Sequence, residues 1–255
     1  MNAAFSHYLD VVAVLAKKDF KLRYRNSVLG FVWSLLNPLA YMLILTIIFS
    51  VLLHSSVPNY GAWILMALLV WRFFQVATSQ SLSCILSNPS LVTKVYMPRA
   101  LIVLSSNFAN LIGSTLEFVV LLPLILLLGV PLDIHILFLP VILVIEFVLV
   151  FSISLSLASL NVKYRDFSQI WEIALQLGFF VSPIVYDESL VPSNYQFLYS
   201  LNPITRLIQA TRGLFLKHQL PLPSDLLVVL SITALFFVGG LVVFSILQVR
   251  FAEEL

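Results

Sequence analysis

Residues 23–38 read RYRNSVLGFVWSLLNP, and here a basic, aromatic-bearing segment turns directly into a long apolar run. Arg23 and Arg25 stand where the apolar run begins. Basic residues beside a membrane span hold that end on the cytoplasmic side, and a tryptophan such as Trp33 favours the headgroup level. The stretch therefore predicts a cytoplasmic amino terminus followed by a first membrane span.

The composition of the whole chain is that of a membrane protein. Its 255 residues are 60% hydrophobic and only 10% charged, far from the usage of soluble domains. No stretch between apolar runs is long enough for a separate soluble domain, so we expect one integral domain over residues 1–255. Residues 1–22 mix charged with apolar positions and offer no cleavage site for a signal peptide. We therefore expect the chain to be inserted and kept whole.

Six apolar runs are candidates for membrane spans, because crossing a hydrocarbon core of about 30 Å takes about 20 residues. They lie at about residues 32–53, 62–83, 101–128, 136–160, 168–185 and 225–248. The fifth run is short, and Pro183 predicts a bend before or at the outer face. The sequence thus predicts an all-α membrane protein with six transmembrane helices. They occupy residues 32–248, between an interface segment, 1–31, and a tail, 249–255.

The positions of the charges predict the orientation. With the amino terminus inside, most of the 14 Lys and Arg residues fall in segments that would be cytoplasmic, which is the usual bias of membrane proteins. We therefore expect both termini to be cytoplasmic.

The segment 5–22 has the pattern of an amphipathic helix. One helical stripe is apolar, and the lysines lie elsewhere on the wheel; the stripe consists of Phe5, Leu9, Val12, Ala16 and Phe20. Such a helix lies in the headgroup layer, with its apolar face buried and its lysines toward anionic lipid. A solvated helix packed on a partner protein would show the same pattern.

The outer segment, residues 187–224, is predicted to contain short amphipathic helices. Asn202 and Pro203 form a helix-start signal, and apolar residues follow at helical spacing, namely Ile204, Leu207, Ile208, Thr211 and Leu214. Arg206, Gln209 and Arg212 would occupy the other face. These helices would lie at the outer leaflet or dip back into it, where either a pore mouth or the neighbouring spans would cover them.

Three charged residues fall inside predicted spans: Arg72, Glu117 and Glu146. Such residues are costly in a bilayer and usually face the protein interior. Counting ~1.5 Å per residue from the cytoplasmic ends puts Arg72, Glu146 and Glu117 roughly 16, 21 and 24 Å deep. We therefore expect Arg72 to pair with Glu146, with Glu117 as second choice. The pair would be structural, line a polar conduit, or take part in proton coupling.

The cytoplasmic segment 87–99 is bracketed by Pro89 and Pro98, so it has room for little more than two helical turns. With Lys94 and Arg99 it suits docking onto another protein, although a tight solvated connection is the plainer interpretation. None of the eight glycines is followed by Lys, so no nucleotide-binding P-loop is present. We expect no catalytic site and no cofactor or metal bound by this chain. His7, His54, His135 and His218 are far apart in the sequence.

Six segments in order resemble the permease subunits of ATP-binding-cassette exporters for O-antigen and related polysaccharides, the Wzm-like family. They are RYRNSVLGFVWSLLNPL from residue 23, Trp71 with Phe74, NPSLVTKVYMPR, LNVKYRDF, SPIVYDESLVP and LNPITRLIQATRGLFL. The resemblance covers essentially the whole chain.

This resemblance implies two copies of a six-span subunit joined to two separate ATP-binding subunits, which carry ATP and magnesium. It implies export of a polysaccharide linked to undecaprenyl diphosphate across the bacterial inner membrane, through a channel between the two copies. Membrane lipid would surround the complex, and no nucleic acid would bind.

The resemblance also implies roles for particular positions. Coupling to the ATPase would involve Asn88, Leu91, Lys94, Tyr96, Pro98 and Arg99. The entrance for the lipid diphosphate would be formed by Arg23, Tyr24 and Arg25. The outer gate would include Tyr186, Tyr195, Tyr199, Arg206 and Arg212. Arg72 stands where the family often has a neutral residue, which leaves the glycan preference open.

Other functions remain compatible with the sequence. A teichoic acid exporter or a small-molecule efflux permease would belong to the same superfamily. An ion-coupled secondary transporter would use Arg72, Glu117 and Glu146 as coupling charges without an ATPase, although the sequence shows no repeated halves. A membrane scaffold would not account for the proline-bracketed segment and the amphipathic outer helices.

Overall fold

The computed structural model describes residues 3–25, 29–52, 54 and 57–254, and these residues form helices and no strand. The helices that precede the middle of the chain are α1 (Ala3–Tyr24), α2 (Val32–Thr46, extended by a π-helix to Leu52), α3 (Tyr60–Cys84), α4 (Pro89–Lys94) and α5 (Ala100–Leu127). Those that follow are α6 (Leu139–Lys163), α7 (Phe167–Val181), α8 (Ser193–Ser200), α9 (Pro203–Arg212, extended by a π-helix to Lys217), α10 (Pro223–Leu247) and α11 (Phe251–Glu254).

Five of the described helices are long and apolar enough to cross a membrane: α2 with its extension, α3, α5, α6 with the turn before it, and α10. The helix at the fifth predicted span, α7, has 15 residues. At 1.5 Å per residue it reaches about 22 Å, short of the hydrocarbon core. The all-helical membrane fold is confirmed, whereas the count of six spans stays a prediction.

The centre of the bundle is α3, which packs against α2, α5, α6, α7 and α9. Its most apolar stretch is 78% buried, whereas that of α2 is 6% buried. Because α2 is as apolar as the others, its exposed faces suit lipid or another membrane subunit. The residues around α3 therefore decide what lies inside the protein.

Two glycines allow helices to approach closely. A Cβ added at Gly178 of α7 would lie 2.9 Å from the ring of Trp71 on α3, and one at Gly240 of α10 would overlap the carbonyl oxygen of Ser152 on α6. Real Cβ atoms do not come so near. Glycine at these positions thus permits the packing of α7 on α3 and of α10 on α6.

The amino-terminal helix α1 lies along α5. Of its predicted apolar stripe, Val12 and Ala16 are buried, while Leu9 is 53% exposed. The side chain of Phe5 lies outside the described residues. Lys17 and Lys18 are exposed on the other side. In the structure the helix therefore has an apolar and a charged side, and part of its apolar stripe packs within the same chain.

The outer segment folds as the sequence predicts, into short helices. The Asn202 side chain accepts a hydrogen bond of 3.0 Å from the Ile204 backbone N–H, which caps α9. Ile204, Leu207 and Ile208 are buried against the bundle. Arg212 departs from the prediction, because it is buried with them instead of lying on the polar face.

Candidate substrate cavity and coupling surface

A polar cavity of about 630 Å³ lies between α1, α2, α3 and α5. It is lined by charged, amide and aromatic side chains, among them Arg23, Trp33, Arg72, Gln80, Asn110 and Glu117. Three of the four helices, α2, α3 and α5, are long and apolar enough to cross a membrane. These polar groups therefore meet inside an apolar bundle. Cavities of this size with a few converging polar groups are the usual form of ligand sites.

One end of this cavity is held by Arg23. Its guanidinium donates to Asn110 Oδ1 at 2.9 Å and to Gln80 Oε1. The Asn110 amide also donates to Gln80 Oε1, at 3.1 Å. Tyr24 lines the cavity as well, but Arg25 is exposed and is not part of the lining. Of the three predicted entrance residues, the structure brings two to the cavity.

The other end is held by Arg72. Its Nε lies 3.2 Å from Glu117 Oε1, and its Nη1 donates to Asn37 Oδ1 at 2.9 Å. The Arg72 side chain is 21% exposed and that of Glu117 is 9% exposed. The predicted pairing of Arg72 with Glu146 is therefore wrong, and the second choice, Glu117, is the partner.

The error has a geometric cause. Depth along the membrane places a residue on its helix axis but does not say which way the side chain points around the helix. Antiparallel α3 and α5 meet at Gln80 and Asn110, and about two turns further along each helix Arg72 faces Glu117. Glu146 is fully buried on α6, and neither of its carboxylate oxygens has a partner among the described residues.

A second surface is formed by the segment around α4, where the predicted coupling residues lie together. Lys94, Tyr96 and Pro98 are exposed, and Tyr96 makes so little contact that its exposure is 108%. Leu91 is partly buried. Asn88 is anchored, because Lys18 of α1 donates to its Oδ1 at 2.9 Å while its own amide donates to the Cys84 carbonyl at 2.9 Å.

The carboxyl-terminal tail supports this surface, which sequence reasoning missed. Arg99 donates to the backbone carbonyl of Gln248, and its guanidinium carbon lies 5.9 Å from the centroid of the Phe251 ring. Phe251 is 1% exposed and packs with Phe244 of α10, Val92 of α4 and Cys84 of α3. The signal in the sequence was Phe251, an aromatic residue within a charged tail, which indicates that the tail packs against the bundle.

The predicted outer-gate residues are only partly brought together. Tyr186 and Tyr199 have ring centroids 6.4 Å apart, whereas Tyr195 is 61% exposed. Arg206 donates to the Ser200 carbonyl at 2.7 Å and pairs with Asp225 of α10. A cavity of about 710 Å³ opens beside Arg206 and Arg212.

Arg212 is buried and links three parts of the chain. It is 7% exposed and donates to the carbonyls of Trp63 and Ile184, each at 3.1 Å. Its guanidinium carbon lies 3.2 Å from the centroid of the Trp63 ring. These contacts join α9 to α3 and to the chain that follows α7.

The titratable groups of the outer segment are shifted by their surroundings. Burial lowers the pKa of Arg212 to about 9, so the group remains a cation at neutral pH. Burial also raises the pKa of Tyr199. Hydrogen bonding from Ser189 lowers the pKa of Asp187, because it favours the carboxylate. At neutral pH this region thus holds a cation beside acidic groups. In the described residues no His, Cys, Asp and Glu cluster could hold a metal ion.

Comparison of the sequence with known proteins shows which family the chain belongs to. The model of the family described as ABC-2 type transporter matches residues 10–216. The chain is 29% identical over 261 residues to the O-antigen export system permease protein RfbA of Klebsiella pneumoniae, across 100% of this chain and 98% of that relative. It is 29% identical over 254 residues to the RfbA permease of Myxococcus xanthus, across 97% and 96%.

A more distant relative is the polysialic acid transport protein KpsM of Escherichia coli, 24% identical over 209 residues, or 79% of each chain. The resemblance drawn from short segments is confirmed by these matches. The family model spans most of the chain, including the residues that line the cavity and the segment around α4. This chain belongs to the ABC-2 type transporter family of membrane proteins.

Proposed function

We propose that this chain is the membrane-spanning subunit of an ATP-driven exporter of a lipid-linked cell-surface polysaccharide. The observation that carries the proposal is the similarity to permeases named for O-antigen export, which runs over 100% of this chain and 98% of the relative. The relative named for polysialic acid transport extends the likeness to a second polysaccharide. Teichoic acid export stays an alternative of the same kind.

The complex would contain two copies of this chain and two ATP-binding subunits. The exposed apolar faces of α2 and α10 fit contacts with lipid and with the second copy. In this arrangement α7 and the turn after it complete a sixth crossing, so both termini are on the cytoplasmic side of the bacterial plasma membrane. The bias of Lys and Arg toward those segments supports this orientation.

ATP and magnesium would bind to the partner subunits, since the sequence lacks a P-loop. The exposed Lys94 and Tyr96 would contact the partner. The conformational change driven by ATP hydrolysis would then pass from α4 to α1 through Asn88, and to the turn that follows α10 through Arg99, because Asn88 accepts from Lys18 and Arg99 donates to the Gln248 carbonyl.

The lipid diphosphate would bind at the Arg23 end of the cavity. Guanidinium groups form strong, bidentate hydrogen bonds to phosphate oxygens, and Gln80 and Asn110 hold Arg23 in place. Arg25, exposed just beyond, would attract the headgroup at the membrane surface. The glycan would leave past the outer segment, where Tyr186, Tyr199 and Arg206 lie.

The first experiment is reconstitution of this chain with the ATP-binding subunit encoded beside it, in lipid nanodiscs. We expect a stable complex whose ATP hydrolysis rises severalfold when a glycan on undecaprenyl diphosphate is added. The double variant Lys94→Glu, Tyr96→Ala should lose at least tenfold in affinity for the ATP-binding subunit, since both side chains are exposed and contact little of their own chain. Lys21→Glu, a charge reversal at an exposed position of α1, is the matched control.

A chain that is stable but recruits no ATPase would contradict the proposal. If the complex forms equally well with the double variant, the docking surface lies elsewhere. Membership of the ABC-2 family disfavours an ion-coupled mechanism. Such a mechanism would require transport to depend on an ion gradient and on the buried charges.

A further inference from the structure

The two ends of the cavity differ in charge. At the Arg23 end the hydrogen-bond partners of the guanidinium among the described residues are neutral amides. Asp19 and Glu117 act on its charge only from beyond ion-pair distance, so that end is the more cationic of the two. At the other end the charge of Arg72 is matched by Glu117 at 3.2 Å. A phosphate gains from the first end and is repelled by the carboxylate of the second. The Arg72 end therefore suits a different chemical group.

The polar groups at the Arg72 end match a neutral polyhydroxyl compound. A guanidinium supplies only donors and a carboxylate only acceptors, whereas each alcohol both donates and accepts. Arg72, Glu117 and the amide of Asn37 are joined by hydrogen bonds of 3.2 and 2.9 Å. They present donors and acceptors side by side, as neighbouring hydroxyls on a sugar ring require.

A hydroxyl in the lining points to a polar ligand independently. Ser114 is 5% exposed and lines the cavity, one turn from Glu117 on α5. Its Oγ has no hydrogen-bond partner among the described residues. Buried polar groups are nearly always paired, so this hydroxyl is expected to contact a molecule in the cavity.

An aromatic face completes the set. Trp33 of α2 lines the cavity, yet 60% of its surface is exposed. Its ring offers a broad apolar plane, and aromatic rings beside a few placed polar groups are characteristic of small-ligand sites. The apolar C–H face of a pyranose fits such a plane, while its hydroxyls reach the polar groups.

We propose that Arg72, Glu117, Asn37, Ser114 and Trp33 form a binding site for the first sugar of the lipid-linked substrate. Along α3 and α5, Arg72 and Glu117 lie about two helical turns, roughly 11 Å, from the residues that bind Arg23. Ser114 lies between the two ends, so a sugar at this site would follow directly on a diphosphate held by Arg23. This inference rests on the proposed export function and adds to it a site that distinguishes one sugar from another. Arg72 and Glu117 are its specificity-determining pair.

The test uses the full complex with its ATP-binding subunits in nanodiscs and two probes. One is undecaprenyl diphosphate carrying a single N-acetylglucosamine, and the other is bare undecaprenyl diphosphate. We expect the wild-type complex to bind the sugar-bearing lipid about tenfold more tightly, as expected for two or three added hydrogen bonds. Binding is measured as Kd by native mass spectrometry.

The decisive variant is Arg72→Met with Glu117→Leu, because removing both charges together leaves neither one buried without its partner. It should bind both lipids with the Kd of the bare lipid. Trp33→Ala should reduce the ratio of the two Kd values severalfold. Because Trp33 is largely exposed, the change should not impair folding, and thermal unfolding checks this. Ile44→Ala, on the same helix but outside the cavity lining, is the matched control.

The outcomes separate this inference from the export function. Equal binding of the two lipids by the wild-type complex overturns the sugar site and leaves the export function standing. Binding of neither lipid overturns both. A sugar-dependent difference that survives in both the double variant and Trp33→Ala places the sugar elsewhere and overturns the assignment.

Discussion

Two arginines are held among the apolar helices, Arg212 in the outer segment and Arg72 in the middle of α3, and their surroundings differ. Arg212 is 7% exposed, contacts two backbone carbonyls and covers the Trp63 ring at 3.2 Å. Arg72 is 21% exposed, contacts the side chains of Glu117 and Asn37, and faces a cavity of about 630 Å³. Arg212 also borders the outer cavity of about 710 Å³, but its hydrogen bonds go to backbone carbonyls of the fold, whereas those of Arg72 go to side chains that line the cavity.

The difference teaches that the partners of a buried charge reveal its role better than its depth does. Backbone carbonyls from separate elements cannot be exchanged for a ligand without opening the fold. Side-chain partners beside a cavity can be shared with one. The variants below test this contrast from the largest expected effect to the smallest.

The largest effect is expected for Arg212→Met. The change removes two charge-assisted hydrogen bonds and the contact with the Trp63 ring, which together amount to about 3 kcal/mol. Thermal unfolding in detergent should show a clear drop in melting temperature. The double variant Arg72→Met, Glu117→Leu should remain within about 1 kcal/mol of wild type. Equal losses in the two variants would break the contrast between the two arginines.

A functional effect larger than the stability effect is expected for Arg23→Gln. Glutamine can still hydrogen-bond near Gln80 and Asn110 but cannot bind phosphate as a cation. Stimulation of ATP hydrolysis by the lipid diphosphate should fall about tenfold, the equivalent of one charged hydrogen bond, while the melting temperature falls less than in Arg212→Met. Lys21→Gln, exposed on the same helix, serves as control. Full stimulation in Arg23→Gln would remove the diphosphate from this end.

The smallest effect is expected for Glu146→Leu. The Glu146 carboxyl is fully buried without a partner in the described part of the chain, so an apolar residue of similar size should leave stability unchanged or raise it by about 1 kcal/mol. Glycan export should persist, as followed by transport into inverted vesicles. Loss of export in a stable variant would assign Glu146 a role in coupling and revive the ion-coupled alternative.

The helices and the residues that begin and end them were predictable because they depend on residues close together in the sequence. The short α4 follows from its bracketing prolines, and the cap of α9 follows from Asn202 and Pro203. Arg23 was singled out because it stands at the start of a span, and the structure places it at one end of the cavity; its role at the entrance stays a prediction. The partner of Arg72 could not be predicted, and neither could the burial of Arg212, since both depend on the direction in which helices face.

The sequence by itself determined that this protein is an all-helical membrane protein, with a proline-bracketed short helix after its second predicted span and amphipathic short helices before its last. Hydropathy, span length and turn residues act over short stretches of chain, so they can be read without coordinates. Only the tertiary structure decided which charges meet. Glu117 faces Arg72, Glu146 faces none of the described polar groups, and Phe251 packs under α4, because helix rotation and packing are set by contacts between residues far apart in the chain.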